Sequence, residues 1–405
     1  MTTIAVAGVV PRDVVTPRSI DELAQIVREL HDARKPFAFV GGGTHLELGN
    51  APRALDTVVR MTALDAVIDY TPEDQTITVE AGITLAELDR VLEQHGQMLP
   101  LDVADRARST VGGAVATNAY GRRRQRYGTA KDLIVGVGIV RPDGVRARGG
   151  GKVVKNVAGF DLPKLMVGSL GTLGAIATVT FRLYPIAQTT RAVALTFEHT
   201  DDIAAATRAL LERRLEPESV ALYNYDTLVV SIGGTTQGVD AQMTTLFGDI
   251  APACSARPRE LSELERESYE QRERAVRRDG AWRMRVVAPP STGVATLGAF
   301  VEAPPLAVPV AYPLLGVAYH AYADAPAATG TDGAHDGRPI AGVRERVAAE
   351  TRGAGHVVIA AMPDAARGTV DAWGPPPPSF ALMRAMKHNF DPNGLCNPGR
   401  FIGGL

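Results

Sequence analysis

The chain has 405 residues, with 43 lysines and arginines against 45 aspartates and glutamates. That near-balance removes the electrostatic case for a nucleic-acid binder, and the length allows two or three domains. Two cysteines, Cys254 and Cys396, are too few to ligate an iron–sulfur cluster and form no zinc motif or disulfide framework, so any electron transfer here needs an organic cofactor.

No basic n-region or cleavage pattern marks the start. Ser19 to Glu22 has the form of a capping box, and Ile20, Leu23, Val27 and Leu30 follow at helical spacing until Pro36. Residues 37–40 then read as a short strand running into Gly41-Gly42-Gly43-Thr44-His45. Residues 76–80 alternate as a half-buried strand, and Thr84 to Glu87 repeats the capping box. Asp143-Gly144 between two apolar runs is a hairpin signal, 161–167 a short helix and 175–183 a strand. Beyond Arg191 the texture changes to alternating strands (192–197, 228–232) beside helical runs (202–215, 261–278). The charge of 261–278, acidic early and basic late, reads as a solvated face. Residues 324–338 read as a flexible insertion, Gly374 to Pro378 as a stiff spacer and 380–390 as a helix before a turn-rich tail. The longest uncharged stretch, 303–323, carries Pro304, Pro305, Pro309 and Pro313, which a bilayer span would not tolerate, so a soluble cytoplasmic chain is expected.

Three glycine-rich elements carry chemistry. Consecutive glycines at 41–43 can reach positive φ and turn several N–H groups onto one side, as a pyrophosphate requires; a plain strand-to-loop turn is the alternative. Thr110-Val-Gly112-Gly113-Ala-Val-Ala-Thr117-Asn118 offers small residues that let a flat ligand approach the backbone. Gly171-Thr-Leu-Gly174-Ala-Ile176 enters another strand. No Rossmann fingerprint or Walker loop occurs, which disfavours nicotinamide and nucleoside-triphosphate enzymes.

Together with Gly96-Gln-Met-Leu-Pro100, the KNVAGFDL run at 155–162 and the tail FDPNGLCNPGRF, these segments resemble the vanillyl-alcohol-oxidase / p-cresol-methylhydroxylase (PCMH-type) flavoproteins. Within them they resemble the FAD-binding (E) subunits of bacterial glycolate oxidase, over roughly 12–186 and 380–401. The resemblance implies an α+β fold: a two-lobed PCMH-type FAD-binding domain at 12–186, a separate α+β cap domain at 191–373 and a tail at 379–405 returning to the first domain. It implies that Gly41, Gly42, Gly43 and Thr44 hold the FAD pyrophosphate, with His45 beside them. Thr110, Gly112, Gly113, Thr117 and Asn118 would line the flavin and ribityl side, and Gly171, Gly174 and Ile176 would contact the cofactor through backbone atoms. Some relatives link FAD to a histidine directly after the glycine run; here Thr44 intervenes, so noncovalent FAD is expected.

The catalytic relatives carry a Gly-Asp-Gly-Asn-x-His motif in the cap, and this chain has none. His320, His356 and His388 read as structural or exposed, so no catalytic residue is assigned. The cluster Arg122-Arg123-Arg124-Gln-Arg126, with Tyr127 and Lys131, reads as a solvated loop, or else as a patch for an anionic substrate or acidic partner. The expected function is the FAD-binding subunit of a glycolate or other 2-hydroxy-acid dehydrogenase complex. Its partners would be a catalytic flavin subunit and an iron–sulfur subunit, through which it could associate with a membrane. A self-sufficient D-lactate or 2-hydroxy-acid dehydrogenase and a non-catalytic flavin-fold scaffold are the alternatives.

Overall fold

A computed structural model describes residues 4–151, 161–292, 309–322 and 338–405. The insertion expected at 324–338 and most of the KNVAGFDL run lie outside the described residues, Arg338 and Asp161-Leu162 excepted. Helices and strands are mixed throughout, as an α+β chain requires. None of the described helices is long and apolar enough to cross a membrane. The chain divides into two compact units: Met1–Tyr120, Gly128–Ile186 and Pro375–Leu405 form the first, Gly121–Tyr127 and Ala187–Gly374 the second.

The first unit holds two lobes. The smaller is a parallel sheet in which Thr57–Arg60 lies between Asp13–Val15 and Phe37–Val40. Helix Ile20–Asp32 covers it, burying Leu23, Val27 and Leu30 as the spacing predicts. The expected capping box is only half formed there. Ser19 Oγ accepts from the Glu22 N–H at 3.1 Å, but the Glu22 carboxylate turns to the Arg18 N–H at 2.7 Å, one residue too early to close the box. At Thr84 the reciprocal box is complete and opens helix Leu85–Glu93.

The larger lobe is an antiparallel sheet ordered Val67–Thr71, Thr76–Glu80, Ala175–Arg182, Ile134–Val140, Arg146–Gly150. The expected hairpin joins its last two strands, with Gly144 at φ +78° and Asp143 accepting from the Val145 N–H at 3.1 Å. After the second unit the chain re-enters the first as helix Phe380–Phe390 and a tail whose Cys396 pairs with Phe37 beside the small sheet.

The second unit is built on an eight-stranded, wholly antiparallel sheet. Its order is Arg257–Glu260, Thr189–Thr196, Thr227–Gly234, Ser219–Tyr223, Val310–Tyr312, Val317–Tyr322, Trp282–Val287, His356–Ala361. Alternate residues of these strands, with apolar residues of helices Thr200–Glu212, Thr236–Thr245 and Arg338–Glu350, make one core. Tyr223 and Tyr312, at the other phase of the alternation, meet helix Glu263–Arg278: Tyr223 Oη donates to the Tyr269 carbonyl at 3.1 Å and Tyr312 Oη donates to Glu273.

Two charge readings are overturned in this unit. Helix Glu263–Arg278 is not simply a solvated face: Glu273 is fully buried and paired to Arg277 at 2.8 Å, and Glu270 is buried too. Nor is 121–127 wholly a solvated loop: Arg126 is exposed, but Arg122 and Tyr127 are buried. Arg122 is buried against Glu270 at 2.7 Å, Arg126 donates to the carbonyls of Glu216 and Gly233, and Tyr127 Oη donates to Glu218 at 3.0 Å. Burial, reinforced by Glu218, pushes the Tyr127 phenol up to about 12. A guanidinium taken out of water needs carboxylate or carbonyl partners, and Glu270 supplies one to Arg122.

Candidate functional site: a glycine-lined cavity

The three glycine-rich elements converge on one cavity in the first unit, open to solvent at its mouth. Gly41, Gly42, Gly43, Thr44, His45, Thr110, Gly112, Gly113, Thr117, Gly171, Gly174 and Ile176 all line it. Asn118 does not. It ends the short helix Val111–Thr117 in the left-handed conformation (φ +45°), its N–H returning to the helix.

The first loop leaves strand Phe37–Val40 and is not the run of left-handed glycines its sequence invites. Only Gly43 has positive φ (+73°). Gly42 is glycine for a different reason: a Cβ there would sit 1.5 Å from the Arg108 carbonyl oxygen. The loop is thus pressed against the segment that leads into Thr110. Its N–H groups from Gly41 to Thr44 have no hydrogen-bond partner among the described residues. The Thr44 hydroxyl lies 3.0 Å from His45 Nδ1 and 3.1 Å from Ser109 Oγ, tying the loop end to the second element.

That second element starts with Thr110, whose hydroxyl accepts from the Gly113 N–H, while Thr117 donates to the Gly113 carbonyl at 2.8 Å. Its hydroxyls therefore stabilise backbone, and its small residues, with Ala81 and Ala116, line the cavity with little side-chain bulk. No aspartate or glutamate is among the described lining residues, whereas Arg400 is. Open N–H groups, a small-residue wall and an acid-free lining fit a ligand that is anionic at one end and planar at the other.

Sequence reasoning named Asn397 and Arg400 only as part of a returning tail, yet both line the cavity. Arg400 is buried and donates to the carbonyls of Leu46, Leu48 and Asn50, fastening the stretch after the glycine loop. Outside this cavity His320 is fully buried, and His388 is exposed. Both cysteines are buried and unpaired.

Gly42→Ala is the sharpest test of this packing. The new methyl must push the loop off Arg108, at a cost of about 1–3 kcal/mol typical of overpacking. Flavin retained through gel filtration should fall, whereas Gly151→Ala, which meets nothing within 4 Å, should leave retention unchanged. Equal retention by both variants would show that the loop is not pinned at this point.

Residues 11–149 match a family described as the FAD binding domain, and residues 375–401 match the C-terminal domain of FAD linked oxidases. The chain is 30% identical over 220 residues to glycolate oxidase subunit GlcD of Bacillus subtilis, covering 54% of this chain and 47% of that one. It is 31% identical over 225 residues to a D-lactate dehydrogenase of Archaeoglobus fulgidus, covering 56% and 50%. It is 32% identical over 213 residues to the mitochondrial D-lactate dehydrogenase [cytochrome] of Arabidopsis thaliana, covering 53% and 37%. The matches thus span half or less of these relatives' own lengths. In structure the chain superposes on an alkyldihydroxyacetonephosphate synthase with a TM-score of 0.68 at 17% identity, over 96% of this chain and 77% of that one, a likeness of fold.

Proposed function

We propose that this chain, which carries the FAD-binding domain and the C-terminal segment of the FAD-linked oxidases, is the FAD-binding subunit of a complex that oxidises small 2-hydroxy acids such as glycolate. The observation that carries the reading is the meeting of three glycine-rich elements around one acid-free cavity within the FAD-binding unit. Relatives named for glycolate and D-lactate supply the substrate class.

FAD, when bound, supplies the acceptor for the hydride equivalent that leaves a CH–OH carbon. The open N–H groups of Gly41 to Thr44 would hold its pyrophosphate, and Gly112, Gly113 and Ala116 would admit its planar ring. Thr44 separates His45 from the glycine run, and its hydroxyl lies 3.0 Å from His45 Nδ1, which supports noncovalent FAD. Residues 191–373 would act as a cap domain. With two buried thiols and no metal-binding cluster among the described residues, onward electrons would go to an iron–sulfur partner alongside a catalytic flavin subunit.

The purified chain should be yellow, and its flavin should stay oxidised when glycolate or D-lactate is added anaerobically. Rapid bleaching would instead establish a self-sufficient dehydrogenase, and a colourless chain that takes up no FAD would make it a scaffold. Acid precipitation should leave the yellow colour in solution; a yellow pellet would establish a covalent link.

A further inference from the structure

Leu170, Gly171 and Gly174 of loop 170–174 line the cavity, and the backbone of this loop is bonded by the far end of the chain. Three consecutive carbonyls of this loop are taken by three side chains of the C-terminal segment. Asn397 Nδ2 donates to the Leu170 carbonyl at 2.5 Å, Cys396 Sγ to Gly171 at 3.0 Å, and Lys387 Nζ to Thr172 at 2.8 Å. Lys387 also donates to Asp391 at 2.7 Å and to the Cys396 carbonyl at 2.8 Å. Asp391 in turn accepts from the N–H groups of Leu395 and Cys396. The segment is therefore a braced turn in its own right.

Every peptide bond described is trans, so each carbonyl and the N–H of the next residue point to opposite sides of the chain. Drawing the Leu170, Gly171 and Thr172 carbonyls toward the tail turns the N–H groups of Gly171, Thr172 and Leu173 the other way. The Thr172 N–H is satisfied by the Ser169 carbonyl at 3.0 Å. The Gly171 N–H has no partner among the described residues, and Gly171 lines the cavity. Leu170 is held at φ +51° and Asn397 at φ +50°, conformations that side-chain-bearing residues seldom adopt unless their surroundings impose them.

We propose that Lys387, Cys396 and Asn397 are positioning residues that set the polarity of this loop, presenting the Gly171 N–H to an acceptor oxygen of the bound dinucleotide. The cofactor site is then completed only after the chain has passed through the second unit and its last residues have docked. This rests on the FAD reading above and adds to it three residues that act through the backbone of this loop.

Hydrogen exchange on the full chain, with and without FAD, tests it directly. FAD should slow exchange at Gly171 and across 391–397 as well as at 41–44. Asn397→Gly keeps the left-handed conformation free while deleting the amide. It should weaken FAD binding by about tenfold, the loss of one well-made hydrogen bond, with the melting of the FAD-free chain little changed. FAD bound with 171 and 391–397 unprotected overturns this inference alone, as does an unchanged affinity in Asn397→Gly. A chain that binds no FAD overturns both readings. Should the variant not fold, exchange on the unmodified chain decides.

Discussion

An Arg277→Met chain should lose about 3–5 kcal/mol of stability in its second unit, the scale for breaking one side of a buried ion pair. Arg277 and Glu273 sit one helical turn apart, 2.8 Å between Nη2 and Oε2, with side chains 6% and 1% exposed. Removing the guanidinium takes the charged partner from a carboxylate in the interior, to which Tyr312 still donates. Burial, with Glu273 as the next cause, already holds the Tyr223 phenol above its ordinary range, a sign of how little water reaches this pocket. The Arg277→Met/Glu273→Gln double variant should recover most of the loss, because glutamine is neutral and still accepts from Tyr312. Both tryptophans, Trp282 and Trp373, lie in the second unit, so their fluorescence in a denaturant titration reads it selectively. A double variant as unstable as the single one would refute this account of the pair.

That helix also shows where sequence reading stops. Its buried stripe runs through Glu270, Glu273, Val276 and Arg277, while Leu264 is 78% exposed. Hydrophobic periodicity looks for apolar residues on the inner face, and here the face is filled by charges that neutralise one another. The same cancellation hides Arg122, whose partner Glu270 is distant in sequence and close only in the fold. Lys387 had a local clue, an aspartate four residues on, but its two carbonyl partners are set by tertiary packing.

Signals carried by backbone chemistry were legible. The Thr84 box, the Asp143-Gly144 turn and the three glycine elements need particular residues at particular φ values or contacts, so they survive as sequence patterns. Even there the reason can differ from the expected one: Gly42 is dictated by the approach of Arg108, and a sequence cannot tell that from a demand for positive φ. Asn118 ends its helix in the left-handed conformation and lies outside the cavity lining that its neighbours form, a turn its sequence context does not announce.

His320 should make the second unit sensitive to mild acid. It is fully buried, placed opposite Met284 in the sheet, and neither ring nitrogen has a hydrogen-bond partner among the described residues. Trp282 Nε1 and Tyr322 Oη, on neighbouring positions of the same two strands, are also without partners. Burial pushes the imidazole down to about 4. The unfolded chain therefore binds a proton at His320 below the ordinary histidine range while the folded chain does not. Stability is complete above that range and falls as pH drops toward 4, by about 2 kcal/mol between pH 7.5 and 5. His356, held down by burial of its ring and by Arg285, acts in the same direction. Carboxylates such as Glu260 and Glu265, whose pKa values are lowered by their arginine and capping partners, stay ionised at pH 5 and titrate below this window. His320→Leu should flatten most of the slope in tryptophan-detected unfolding between pH 7.5 and 5 and leave the unit at least as stable at pH 7.5, since it deletes two unsatisfied polar atoms. Were the variant to keep the full slope, the proton uptake would have to be sought at another group.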